Sequence, residues 1–154
     1  MPPVASTREL ILNDIVAALA AINGGSMYNF TIGEAALGLK HFAAVPSDKF
    51  PAAYVCGADE DRSNVTNAHF KGVLKAHIVG YVQVADASDT ATLEKYVSRF
   101  VSDVMVALTV DPTRSGAARY TEVKTVNTDK GAWAPYAGFE IIVECEYRAP
   151  FQAP

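Results

Sequence analysis

Residues 70–84 alternate without a break for fifteen positions. The even positions read Phe70, Gly72, Leu74, Ala76, Ile78, Gly80, Val82 and Val84, and the odd ones Lys71, Val73, Lys75, His77, Val79, Tyr81 and Gln83. A period of two is the mark of a strand with one apolar and one wet face. Strands ordinarily run roughly 3–10 residues. This one is therefore expected to bend at Gly72 or Gly80, or to project beyond its sheet.

Two segments carry the other natural period. Leu93, Tyr96, Val97, Phe100, Val101, Val104 and Leu108 recur at threes and fours, which predicts a helix with N-cap candidates in residues 86–90. Asp111-Pro112-Thr113-Arg114-Ser115-Gly116 ends it with a proline and a glycine turn. Near the start, Ser6-Thr7-Arg8-Glu9 has the spacing of a capping box. Leu12, Ile15, Val16, Leu19 and Ile22 then share one face, and Asn23-Gly24-Gly25 supplies a left-handed stop. The Ala17-Ala18 and Ala20-Ala21 pairs favour helix and allow close approach by a neighbour.

Between these helices, residues 27–32 alternate Tyr28, Phe30 and Ile32 with Asn29 and Thr31 and read as a strand. Residues 33–45 fit neither period. Residues 49–57 enter through Pro51 and stop at Gly57, as a short, largely buried strand would. The polar residues 58–67, with no period, read as a loop. After the second helix, residues 119–126 and 138–148 read as strands. In the last of these Phe139, Ile141, Val143, Cys145 and Tyr147 face one way, while Glu140, Ile142, Glu144, Glu146 and Arg148 face the other. The order α-β-β-β-α-β-β has no βαβ repeat. It predicts an α+β fold: a mostly antiparallel mixed sheet of about four to six strands with two amphipathic helices packed on one face. Residues 1–154 are expected to form a single domain, with proline-bearing arms at 1–5 and 149–154 lying over its surface.

Composition excludes several function classes. No apolar run approaches the ~20 residues that span a bilayer, because Arg8, Glu9, Asn13 and Asp14 interrupt the one candidate. The first residues lack the basic and apolar regions of a secretory signal, so synthesis in the cytoplasm is expected. Thirteen Lys and Arg against seventeen Asp and Glu give a net charge of -4 with no basic cluster, which disfavours phosphate-backbone binding. Cys56 and Cys145 lie in apolar runs without a C-x-x-C pair and are expected to be buried free thiols.

The known catalytic and binding signatures are missing. G-x-S-x-G, G-x-G-x-x-G and the phosphate-loop pattern do not occur, and Ser115 sits in a turn whose geometry alone calls for Ser and Gly. His41, His69 and His77 have no metal-ligand spacing. Asp59-Glu60-Asp61-Arg62-Ser63-Asn64 begins like a calcium loop. Its sixth position is Asn64 where Gly is needed, and its twelfth is Phe70 where Glu is needed. Glu140, Glu144 and Glu146 share the wet side of a strand and are expected to present a negative surface that repels a polyanion. No catalytic residue, metal or cofactor is expected, and the chain is not read as an enzyme.

The succession of features resembles the tail terminator proteins of long-tailed bacteriophages. The resemblance rests on the opening helix with Arg8-Glu9-Leu10-Ile11, and on Phe50-Pro51-Ala52-Ala53-Tyr54-Val55 running into Gly57-Ala58-Asp59-Glu60. It also rests on the long strand with Gly80-Tyr81-Val82, the second helix leading into Thr109-Val110-Asp111-Pro112, and the closing Glu146-Tyr147-Arg148. It spans most of the chain, and residues 25–45 depart from it. The resemblance implies a homohexameric ring that caps the tail tube, ends tube polymerisation and meets the head connector or neck protein, with DNA passing through the lumen unbound. It places the protein in the virion, at the head-proximal end of the tail. Candidate contacts between subunits or with the tube protein are Asp59, Glu60, Asp61 and Arg62, the long-strand residues Lys71 and Lys75, and Arg114. A neck or head-tail joining subunit of the same particle is the neighbouring reading. A small-molecule-binding module is the other alternative, with a pocket between sheet and helices lined by Tyr81, His77 and Tyr96.

Overall fold

The computed structural model describes residues 4–151; residues 1–3 and 152–154 of the expected arms lie outside the described residues. Helix α1 (Thr7–Ala20) is followed by strands β1 (Glu34–Leu37), β2 (Ala52–Asn64) and β3 (His69–Gln83). Helix α2 (Thr90–Val110) and strands β4 (Tyr120–Thr128) and β5 (Tyr136–Pro150) complete the chain. The five strands form one sheet in the order β1-β2-β3-β5-β4. β1 runs parallel to β2 and every other neighbouring pair is antiparallel. The fold is α+β with a mixed sheet, as the element order predicts.

β3 is long because it is central. Each of its fifteen residues has a partner on β5, and its other side carries β2 from Ala52↔Tyr81 to Asn64↔Phe70. It therefore neither overhangs the sheet nor needs to break at its glycines. Gly72 and Gly80 do something else. A Cβ on Gly80 would lie 2.2 Å from Cζ of Phe139, and one on Gly72 would lie 2.6 Å from the Tyr147 ring. Each glycine is the seat for an aromatic ring projecting from its partner on β5. β5 also runs on through Ala149 and Pro150, paired with Phe70 and His69, so residues 149–150 are strand and not arm.

Both helices cover the same side of this sheet. Ile11, Ile15, Leu19 and Ile22 of the first helical segment and Leu93, Val97, Phe100, Val104 and Leu108 of α2 join Val55, Leu74, Ile78, Ile141 and Val143 in one core. The buried stripe of α1 runs through Ile11, Ile15 and Leu19, with Leu12 and Val16 packed along its margin. Ser6 Oγ accepts from the Glu9 amide at 3.1 Å, which fixes the start of α1. Asp89 caps α2 by accepting from the Thr92 amide at 3.1 Å.

Residues 27–32 form no strand. The only ladder contact there is an isolated bridge between Asn23 and Thr31. The backbone donors that a sheet neighbour would take are held instead by Asp103 of α2. Its carboxylate accepts from the Asn29 amide at 2.9 and 3.1 Å, from the Phe30 amide at 2.9 Å and from Asn29 Nδ2 at 2.9 Å. Asp103 is only 1% exposed, so four short hydrogen bonds replace its lost hydration. The first strand lies in residues 33–45, the stretch that fits no period, because β1 is only four residues long. A tight approach delivers it to the sheet: a Cβ on Gly33 would fall 2.2 Å from the Lys49 carbonyl oxygen.

Two substitutions test this packing. Gly80→Ala forces a methyl group into the Phe139 ring and is expected to cost about 1–3 kcal/mol in urea unfolding. Adding Phe139→Leu to it should recover part of the loss. Val104→Asp places an unpaired carboxylate at a site with no exposure and should abolish folding. A soluble, normally melting Val104→Asp protein would mean that α2 is packed in another register.

Candidate interaction surface

The residues singled out for contacts do not converge on one site. Residues 58–64 are the outer half of β2, not a loop: Glu60↔Leu74, Asp61↔Val73, Arg62↔Gly72 and Ser63↔Lys71 are paired across to β3. A shift in register between Gly57 and Glu60 absorbs Ala58 and Asp59, and Arg8 Nη2 donates to the Ala58 carbonyl at 2.9 Å. The run is polar because one face meets water while the helix-side positions, Glu60 and Arg62, pack by polar and cation–π contacts on Tyr147 and Phe70. A turn closes it, in which Thr66 Oγ1 accepts from the amides of Ala68 and His69.

Alternation divides the acidic residues. Asp59 and Asp61 are exposed. Glu60 points to the helix side, where its side chain is 8% exposed, accepts from the Tyr147 hydroxyl at 2.7 Å and pairs with Arg62. Arg62 in turn lies over the Phe70 ring at 4.6 Å. Glu60 and Arg62 therefore hold the hairpin to β5, and of the acidic run Asp59 and Asp61 are the pair free to meet a partner. Lys71 and Lys75 sit on the opposite, helix-free face, half-buried, with Lys71 across from Arg148 and Lys75 across from Glu144.

Arg114 is not a surface contact. Its side chain has no exposed area, and Nη2 donates to the Leu108 carbonyl at 2.6 Å and to the Asp111 carbonyl. Nη1 lies 3.3 Å from Asp14 Oδ1, tying α1 to the turn after α2. Arg114 and Ser115 hold left-handed φ of 50° and 55°, and Ser115 Oγ donates to Asp14 Oδ2 at 2.6 Å. The sequence carries no sign of this, since Asp14 stands a hundred positions upstream.

The helix-free face is also not the uniform negative surface that its glutamates suggest. Lys124 Nζ lies 2.9 Å from Glu122 and 3.6 Å from Glu144; Arg119 lies 3.6 Å from Glu146 and His77 Nδ1 3.1 Å from Glu140. The acids are interleaved with bases from the neighbouring strands, a lateral pairing that a single strand's pattern does not display. Glu122 beside Lys124 pushes the ammonium pKa up.

Tyr81, His77 and Tyr96 do not share a pocket. Tyr81 and His77 project on the helix-free side, whereas the Tyr96 ring of α2 lies 5.4 Å from Phe30 in the helix layer. The cysteines are likewise on opposite faces: Cys56 is half-buried opposite His77, and Cys145 is buried against Thr121. Both are free, and burial pushes both thiols up, away from the reactive thiolate. Among the described residues no group of three or more His, Cys, Asp or Glu is placed to hold a metal ion. Among the same residues no helix is long and apolar enough to cross a membrane.

No protein-family model matches this chain, and no curated protein matches it. Its function must therefore be argued from its own geometry, and the sheet edges are the informative part. β1 covers only Ala52–Val55 of β2, so the outer side of the remaining β2 residues carries no strand among the described residues. At the far end of the sheet, the outer side of β4 is likewise unpaired. β4 is irregular between Val123 and Thr125, and it carries Glu122 and Lys124.

The Glu60–Tyr147 contact gives two measurable outcomes. Glu60→Lys should destabilise the subunit by about 1–3 kcal/mol, while Asp59→Lys with Asp61→Lys should leave its melting unchanged. Burial, with the Glu60 acceptor second, pushes the Tyr147 hydroxyl from 10.0 up to about 12. Because the folded state holds the proton more tightly, this stabilisation is complete below pH 10 and is lost as pH rises through about 12. Burial raises Tyr54 and Tyr81 as well. Tyr147→Phe should therefore make the alkaline limb of the stability profile shallower without removing it, as followed by circular dichroism.

Proposed function

We propose that this protein is a structural virion subunit of the tail terminator type: a ring, six-membered by the resemblance, that caps the tail tube, stops its growth and joins the head connector. The observation that carries this reading is the pair of open edges at opposite ends of one sheet. β4 runs antiparallel to β2, because β4-β5, β5-β3 and β3-β2 are each antiparallel. Laying β4 of one copy beside the outer half of β2 of the next would extend the antiparallel ladder and leave each pair with one free edge of either kind. That is a heterologous, head-to-tail contact, the type that closes into rings. The exposed Asp59 and Asp61 sit beside one of these edges. The element order and the helices on one face accord with the resemblance, and the net charge of -4 suits a lumen that lets DNA slide.

The decisive measurement is the mass of the purified protein by light scattering over a concentration series, repeated with tail tubes and imaged by negative stain. Rings in solution or at tube ends are expected. A strict monomer that never decorates tubes would overturn the reading. Asp59→Lys with Asp61→Lys should weaken ring formation while the monomer melts normally. Unchanged assembly would remove these two residues from the interface.

A further inference from the structure

On the helix-free face, the sheet has a depression of about 470 Å³ beside the chain's single tryptophan. Its floor is two rows of residues across three strands. Val79, Glu140 and Asn127 form the first row. Tyr81 and Gly138 form the second, and the Asp129 amide donates to the Gly138 carbonyl at 3.1 Å to extend it. The middle of the second row has no side chain, and the Trp133 and Tyr81 rings close in over it. Gly138 does not have a left-handed φ, so backbone conformation does not require glycine there. A Cβ would instead stand 3.1 Å from both Trp133 Cζ3 and Tyr81 Cδ1, pressing on the two rings.

The aromatic wall is rigidly held. Trp133 stacks on Phe42 with centroids 5.0 Å apart and planes at 30°, and Phe42 in turn packs on Tyr136 at 5.2 Å. The Asp129 carboxylate accepts from the Trp133 amide at 3.3 Å and fixes the loop that carries the indole. Trp133 still leaves 43% of its surface open. The charged residues lining the depression are Glu140 and Asp129, both acidic, and no Lys or Arg lines it. His77, on the neighbouring strand β3, contacts Glu140 through Nδ1 at 3.1 Å, and Lys130 follows Asp129 in the loop.

An apolar, aromatic hollow with carboxylates and no cation complements a positive charge on an apolar body. We propose that this depression is a binding site for a small organic cation, an ammonium or guanidinium group carried on an aryl or alkyl frame. The body lies against Trp133, Tyr81 and Val79, and the charge faces Glu140. The ring assignment is not needed for this inference, and a protein that never forms rings retains the site.

Trp133, as the only tryptophan, reports on this site alone. Titrating the full chain with benzyltrimethylammonium should change its fluorescence saturably in the millimolar range. Benzyl alcohol should bind more weakly and benzenesulfonate least. Glu140→Gln, a substitution at a partly exposed position, should weaken the cation about fivefold while leaving benzyl alcohol unchanged. Gly138→Ala should weaken both, provided that its melting is preserved. Absence of a saturable change, equal binding of the cation and the sulfonate, or a Glu140→Gln protein with the wild-type cation preference would each overturn the proposal.

Discussion

The β3 ladder is the constraint on which the other elements depend. A strand paired along its full length on β5 and along most of it on β2 has no freedom to slip, because a shift of one residue would turn Leu74, Ala76 and Ile78 out to water. The two glycine seats sharpen this. Phe139 opposite Gly80 and Tyr147 opposite Gly72 act as pegs whose sockets occur only in the native register. With β3 and β5 locked, the helix-side surface becomes a fixed apolar plane, and α2 lays Val97, Phe100 and Val104 on it.

Two buried charges then attach what the apolar plane cannot. Asp103 projects from α2 into the backbone of residues 29–30 and turns an alternating segment into an ordered crossing rather than a sheet strand. Arg114 reaches back from the turn after α2 to Asp14 on α1. In both cases a charge inside the fold is matched by donors or acceptors from a distant part of the chain. Such contacts are costly to break on one side only, so they specify the path between helices as well as stabilising it.

This division explains what was legible in the sequence. β3, β5 and α2 are periodic and carry most of the core, so alternation and the three-four spacing locate them within a residue or two. The outer half of β2 was hidden because its helix-side positions are Glu60 and Arg62, which pack on Tyr147 and Phe70 without being apolar: a strand with no hydrophobic side reads as a loop. Residues 27–32 mislead in the opposite direction, since Tyr28, Phe30 and Ile32 do pack on the core while a carboxylate of α2 takes the backbone that would otherwise join a sheet. Arg114, in a turn of exposed character, reads as a candidate contact with a partner, and only the fold brings Asp14 to it. The glutamates of β5 looked unopposed because Lys124 and Arg119 lie on another strand. Local pattern reports burial along one element, whereas charge balance and buried polar contacts are set laterally.

The same distinction bears on function. The helix-side face of the sheet is filled by core packing, and the helix layer over it carries a hollow of about 190 Å³ between Asp14, Tyr28 and Val110. The other face and the two sheet edges differ in character. The edges are backbone donors and acceptors that only another strand satisfies in full, which favours self-association along the sheet. The depression beside Trp133 is closed at its floor, walled by rings already stacked on Phe42 and bordered by carboxylates. A small cation would share Glu140 with His77, whereas edge pairing must order a second chain. A ring built through the edges would leave the middle of the helix-free face uncovered, but the depression reaches Asn127 and Thr128 of β4, so its outer rim adjoins the edge that a neighbouring copy would pair with. Ligand binding and edge pairing therefore meet at the same strand, β4, from its face and from its outer side.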